Sequence, residues 1–310
     1  MRLNNKIQTI LLGSFALLCM LQSYGQQDPQ YTQYMYNHSM INPAYAGSQD
    51  GLNIFGLYRA QWVGLEGAPK TATLSINTPL SQSGLGLGVN FTNDNLGVMD
   101  ENTLSVDLSY AIDLNYQYKL AFGLKGSANI LDVNYSKLSI YNPTDPVVVE
   151  DIKNKFTPNI GAGLFLYADR AYAGVSVPNL FTRYRYNDDA VKTMNQELHV
   201  YLTGGYVFDV NPNLQFKPAT LIKIEQGSPM QVDLSANFLF AEKLTVGAAY
   251  RWDASISGLI GFQLSKQIFI GYSYDAETTK LANYQNGSHE IFMQFKLFNV
   301  FKRVTPPRFF

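Results

Sequence analysis

The chain has 310 residues, a formal net charge of −1, 15% charged side chains, 24 glycines, 21 tyrosines and 19 phenylalanines. A near-neutral balance with no basic run excludes nucleic acid as a partner, and a mean hydropathy of −0.10 is far too polar for a bundle of membrane helices. That composition suits strands alternating apolar and polar side chains, in a membrane β-barrel or a soluble β-sandwich.

Residues 1–25 read as an export signal. Arg2 and Lys6 supply positive charge, Ile10 to Leu21 is almost purely apolar, and Ser23-Tyr24-Gly25 precedes a cut before Gln26. The run is too short for a membrane helix, which needs roughly 20 apolar residues. Cleavage removes Cys19, the single cysteine, and leaves 21 basic against 24 acidic residues. The mature chain then has no disulfide and no thiol nucleophile. Residues 26–48 are rich in Tyr, Asn and Gln, with Pro29 and Pro43. They read as an N-terminal extension, either periplasmic or inserted as a plug.

Residues 49–310 read as the barrel, because period-two runs dominate there. About 14 strands are expected: 51–59, 69–79, 84–92, 102–113, 117–132, 156–168, 171–177, 196–209, 213–225, 229–241, 243–252, 255–264, 267–275 and 287–299. In the fourth, Leu104, Val106, Leu108, Tyr110 and Ile112 oppose Thr103, Ser105, Asp107 and Ser109. In the tenth, Val232, Leu234, Ala236, Phe238 and Phe240 oppose Gln231, Asp233, Ser235 and Asn237. The last alternates likewise, with Phe292 as an apolar exception among the polar positions. Most of these strands suffice to cross a bilayer, which takes about 9–11 residues, whereas globular strands average about five or six. Length therefore favours an all-β, antiparallel outer-membrane barrel over a sandwich.

Connection lengths support the same topology. Short turns fall at 80–83, 114–116, 169–170, 210–212, 242 and 265–266, and long loops at 60–68, 93–101, 133–155, 178–195 and 276–286. Short turns on one side and long loops on the other is the barrel asymmetry, the short turns facing the periplasm. Pro218 falls inside the ninth strand, where it removes a ladder donor. It marks a bulge or a misplaced strand.

Nothing points to catalysis. His38, His199 and His289 lack ligand spacing and no nucleophile elbow occurs. Asp145, Glu150 and Asp151, and Asp188-Asp189, read as solvated loops rather than calcium ligands. The expectation is a non-enzyme without metal or cofactor. Gly84, Gly86 and Gly88 alternate with Leu85, Leu87 and Val89. They leave room in the lumen, or mark a close approach of another backbone.

Two segments are unlike generic barrel sequence. The first is Asp28-Pro-Gln-Tyr31, followed by Asn42-Pro43-Ala44-Tyr45-Ala46-Gly47. The second is Arg59-Ala60-Gln61-Trp62, followed by Gly67-Ala68-Pro69-Lys70-Thr71. With the closing Pro307-Arg308-Phe309-Phe310, these resemble the PorP/SprF family of type IX secretion-associated outer-membrane proteins. The resemblance covers the mature chain and is most specific in residues 26–80.

The resemblance implies a protein of the Gram-negative outer membrane, with links to secretion, surface anchoring and gliding motility. Its expected partners are a large adhesin-like surface protein bearing a type IX C-terminal secretion domain, other type IX components and membrane lipid. Arg59, Gln61 and Trp62, and loop residues Arg183, Tyr184 and Arg185, are the candidate partner contacts, since aromatics and Arg concentrate interface energy. For Arg59 and Trp62, ordering the first extracellular loop is the alternative, and for Trp62, with nearby Tyr58, a place in the aromatic girdle. Asn42, Pro43, Ala44, Tyr45, Gly47, Gly67, Pro69 and Thr71 are expected to be structural. A porin or plugged uptake channel shares the fold and is the competing function.

Overall fold

The computed structural model describes residues 30–80, 83–137, 151–181, 183–184, 195–196, 198–225 and 228–297. Residues 1–25, expected to be an export signal and containing Cys19, the closing 307–310, and Gln82, Tyr141, Asp145, Glu150, Arg185, Tyr186, Asp188 and Asp189 lie outside them.

The strands are β1 (Leu52–Ala60), β2 (Lys70–Pro79), β3 (Leu85–Leu96), β4 (Met99–Asp113), β5 (Lys119–Val133), β6 (Ile152–Tyr167) and β7 (Ala171–Val177). There follow β8 (Arg183–Tyr184), β9 (Asn195–Gln196), β10 (His199–Tyr206), β11 (Phe208–Asn211), β12 (Leu214–Glu225) and β13 (Gln231–Phe240). The last are β14 (Leu244–Arg251), β15 (Ser255–Gln263), β16 (Ile268–Glu277) and β17 (Ser288–Leu297). β8 and β9 form a separate ribbon, and β11 continues β10. The remaining 14 strands pair antiparallel in a ring, closed by β1 on β17 and by β10 on β12. Closure leaves no sheet edge whose amides would face lipid unpaired.

Two expectations are corrected in detail. The segment 93–101 is not a long loop: β3 and β4 pair without a break from Leu85↔Tyr110 to Leu96↔Met99, and only Gly97 and Val98 turn. Its polar residues read as a loop because they cross-bond as a ladder, Asn93 Nδ2 donating to Asp100 and Asn102 at 3.0 Å each. Pro218 lies in a sound strand, since β12 pairs continuously with β13 through Pro218↔Ala236. The irregularity is in its other neighbour, where β10 and β11 break at Val207. The missing N–H of Pro218 faces the interrupted stretch of that partner, so no continuous ladder loses a bond there.

The molecule is inside-out relative to a soluble protein. Leu104, Val106, Leu108 and Tyr110 of β4 are exposed on the outer surface, and Ser105, Asp107 and Ser109 are buried inside. The same holds in β13, where Leu234 and Phe238 are exposed and Asp233, Ser235 and Asn237 are buried. An apolar exterior is stable only against lipid, so the strands, crossing the bilayer, set the outside of the barrel.

The interior is filled by the chain itself. Residues 32–39 and 41–49 are all buried, in a run of 3₁₀ turns at Tyr34–Tyr36, His38–Met40 and Pro43–Tyr45. Their partners lie on walls all round the ring, from Glu290 of β17 to Asp233 of β13, Ser109 of β4 and the Leu164 carbonyl of β6. A segment bonded to walls on all sides lies in the lumen. Residues 30–49 plug the barrel.

Candidate functional site: the plugged lumen

The Asn-Pro-Ala-Tyr-Ala-Gly element forms the lower half of the plug. Asn42 caps the turn, its Oδ1 accepting from Ala44 N at 3.0 Å, with Pro43 at the first position, where no amide bond is lost. Its Nδ2 donates to the Leu164 carbonyl at 2.9 Å, which ties the turn to β6. The turn lies on wall glycines because nothing larger fits. A Cβ at Gly123 would stand 2.1 Å from Ala44 N, and one at Gly86 2.3 Å from Ala46 O. Of the two readings of the glycine series, close backbone approach holds, and the lumen has no spare room at Gly86. Tyr45 packs edge-on against Phe165 at 5.4 Å, and its hydroxyl accepts from Gln49. Gly47 (φ 66°) makes the turn that leads the chain out to β1.

The middle of the plug is aromatic. Tyr36 stacks on Phe292 at 5.0 Å, Phe292 on Phe55 at 5.1 Å, and Lys217 Nζ lies 4.8 Å from the Tyr36 ring centre. This explains Phe292, the apolar exception in the last strand: it faces a plug, not water. Lys125 donates to the Ser39 and Met40 carbonyls at 3.5 and 3.4 Å, beside Asp107 at 3.5 Å.

The upper half is held by charge. Arg59 of β1 pairs with Asp275 of β16 at 2.7 Å and with Glu290 of β17 at 3.1 Å. Glu290 accepts two consecutive plug amides, Thr32 N at 3.0 Å and Gln33 N at 2.9 Å. The Thr32 hydroxyl donates to Asp275 at 2.7 Å and accepts from Arg59 at 3.0 Å. All four residues are nearly inaccessible, at 1–3% exposure. Charged hydrogen bonds out of water are the strong ones. A second pair, Arg251 with Asp233 at 2.7 Å, adds a contact from Arg251 to the Tyr31 carbonyl at 3.4 Å.

The candidate contact residues separate accordingly. Arg59, expected at an outer surface, is buried in the lumen as the centre of this clamp. It lies on the inward face of β1, with Asn53, Phe55 and Leu57, where alternation turns it toward the plug. Gln61 and Trp62 begin the 61–69 loop. Gln61 N donates to Pro69 O at 3.0 Å, and Trp62 N donates to the Ser288 hydroxyl at 3.1 Å. Gly67 accepts from Gly97 N at 2.9 Å and Thr71 donates to Asp94 at 2.6 Å. Gly67 and Thr71 thus fasten this region to the β3–β4 hairpin, and Pro69 closes the base of the loop on Gln61. Arg183 and Tyr184 lie in β8, which follows β7 in the chain and pairs only with β9 among the described strands. Asp275, Thr32, Gln33 and Arg251 are not singled out from sequence; charge at an inward strand position is the signal for Asp275 and Arg251, and Thr32 and Gln33 carry none.

His199 Nε2 stands 3.0 Å from Glu225 inside the wall, and His289 Nδ1 bonds the Tyr272 hydroxyl at 2.6 Å. His38 packs among Tyr45, Phe165 and Tyr172. The structure brings no two of the three histidines together. Among the described residues no group of three or more His, Cys, Asp or Glu is arranged to hold a metal ion.

A 14-stranded, lipid-facing barrel stoppered by its own amino-terminal segment is an integral protein of the outer membrane. Residues 23–295 match the family described as type IX secretion system membrane protein PorP/SprF, and the chain belongs to that family. Membership implies association with other components of the type IX system.

Among solved structures, the chain is similar to the Ralstonia pickettii toluene transporter TbuX, at 10% identity and a TM-score of 0.52, covering 87% of this chain and 94% of that one. It is equally similar to the CymD monoaromatic hydrocarbon channel, at 12% identity and a TM-score of 0.52, covering 89% and 95%. These likenesses concern the fold alone. A search of curated proteins finds no match.

Proposed function

We propose that the barrel is a non-enzymatic dock that holds a large, adhesin-like secreted protein at the cell surface, through that protein's type IX C-terminal secretion domain. The observation that carries the reading, beside the family, is the plug. A lumen packed with eighteen or so ordered residues, bonded to walls on all sides, is built as a rigid platform rather than as an open passage. Solute transport is the competing reading, and the names of the two barrel neighbours invite it. The filled lumen weighs against it.

The contact surface is assigned to the long-loop end, comprising the rim at Gln61 and Trp62, the 133–155 region and the 178–195 region with Arg183, Tyr184 and Arg185. Long loops present a tailored surface without disturbing the hydrogen-bonded wall. The direct experiment is affinity purification of the barrel from detergent-solubilised outer membranes, with mass spectrometry of what accompanies it. Co-purification of a large secreted protein carrying a type IX C-terminal domain is the expected result. Replacing Arg183, Tyr184 and Arg185 by Ser should then lower the amount of that protein kept on the cell at unchanged barrel levels. Retention that survives this change and equivalent changes in the other outer loops would remove the proposed surface.

A further inference from the structure

The plug has a direction. Its first described residues, Gln30 to Gln33, bond to wall residues next to the long loops. Arg59 is one residue from the end of β1, Asp275 two from the end of β16, Glu290 the third residue of β17 and Gln231 the first of β13. Its last residues lie at the other end. The Ala46 carbonyl accepts from Ser109 near the end of β4, and Gly47 crowds Gly86 at the start of β3 and Pro79 at the end of β2. From there the chain turns at Asp50 and Gly51 and climbs back as β1. Short turns face the periplasm in such barrels. The plug therefore runs from the outer mouth down to the periplasmic end.

We infer that the plug enters the barrel from the cell-surface mouth, and that Gln30 to Tyr34 form one wall of an outward cup that receives a side chain of the docked polypeptide. Between this stretch and the inner faces of β3, β4, β5, β10, β12 and β13 lies a cavity of about 140 Å³, whose lining includes Tyr31, Asn90 and Thr103 and the charged Asp94, Glu101 and Lys125. Carboxylates, a lysine, an amide and a hydroxyl offer both donors and acceptors beside an aromatic face. A cavity of about 150 Å³ holds one benzene-sized group, so the cup fits a single projecting side chain and not a folded domain. The cup's role as receptor rests on the docking function proposed above, and the direction of the plug does not.

The mature chain lacks cysteine, so single cysteines report position cleanly. Gln30→Cys, Asp50→Cys, Glu66→Cys in the 61–69 loop and Asn115→Cys in the β4–β5 turn are each treated with a membrane-impermeant maleimide on intact and on permeabilised cells. Gln30→Cys and Glu66→Cys should label to the same extent in both, and Asp50→Cys and Asn115→Cys only after permeabilisation. An epitope tag placed before Gln30 should bind antibody on intact cells. If Glu66→Cys labels on intact cells while Gln30→Cys and the tag are silent, the direction is wrong.

For the cup, a photo-crosslinking amino acid replaces Tyr31, with Glu66 and Tyr116 as the outer and periplasmic comparisons. Crosslinks to the secreted protein from Tyr31 and Glu66, and none from Tyr116, support the receptor. Crosslinks from Glu66 alone overturn the cup and leave docking intact. No crosslink from either outer site, with surface retention unchanged when the barrel is deleted, overturns the docking function whatever the maleimide shows.

Discussion

Arg59 serves two carboxylates from a position where none of the three meets water. Moving ions from water into a protein costs several kcal/mol each, and the arrangement persists only while charges and hydrogen bonds are all matched. Removing the cation strands Asp275 and Glu290. Arg59→Met should therefore destabilise the folded barrel by about 3–5 kcal/mol in a detergent-lipid folding assay, and should raise protease cutting within residues 30–36. Glu290→Gln keeps the shape and leaves Arg59 paired with Asp275, so its cost should be clearly smaller. Equal stability of Arg59→Met and the parent would show that the clamp holds nothing.

The outer face obeys a different rule. Val106, the middle residue of β4, is exposed to lipid, and Val106→Arg should cost about 2–4 kcal/mol. Ser105 beside it is buried against Asn90 on the lumen side and lines the cavity between the plug and the wall. Ser105→Arg, whose side chain enters that cavity, should cost clearly less than Val106→Arg, and that contrast identifies the faces.

Among the elements, the 14 wall strands were legible because alternation and length are local properties of the sequence. β7 was read at its observed bounds, 171–177, despite its shortness. The β3–β4 hairpin was misread between 93 and 101, because paired polar strands and polar loops share a composition. The plug was half legible. The 26–48 segment stood out by its proline and aromatic content, yet its place inside the lumen is set by long-range contacts. The sequence does carry a trace of it: Phe55, Phe165, Phe269 and Phe292 are apolar residues on inward faces, which a water-filled lumen would not favour. Arg59 was picked out for its motif and assigned to the surface, since no short-range pattern reveals partners more than 200 residues away. Deleting residues 26–49 tests the plug as an element. Barrel assembly should persist, judged by heat-modifiable migration, while planar-bilayer recordings change from silence to steady conductance. Silence of a folded, plug-deleted barrel would mean that the remaining wall and loops close the lumen by themselves.

At the scale of the whole molecule, the plug and the wall are one chain, and only Asp50 and Gly51 separate Gln49 from the first strand. The plug thus behaves as a ligand supplied by the receptor to itself. Short tethers of this kind correspond to effective concentrations of about millimolar order. Modest affinity between the free segment and the free wall is then enough for near-complete occupancy. A peptide of residues 26–49 added to a plug-deleted barrel would have to approach that concentration to match the occupancy of the tethered segment. Any signal that loosens the outer clamp need only shift this intramolecular equilibrium. The released segment stays anchored at its periplasmic end, within reach of its seat, so each opening is reversible without resynthesis.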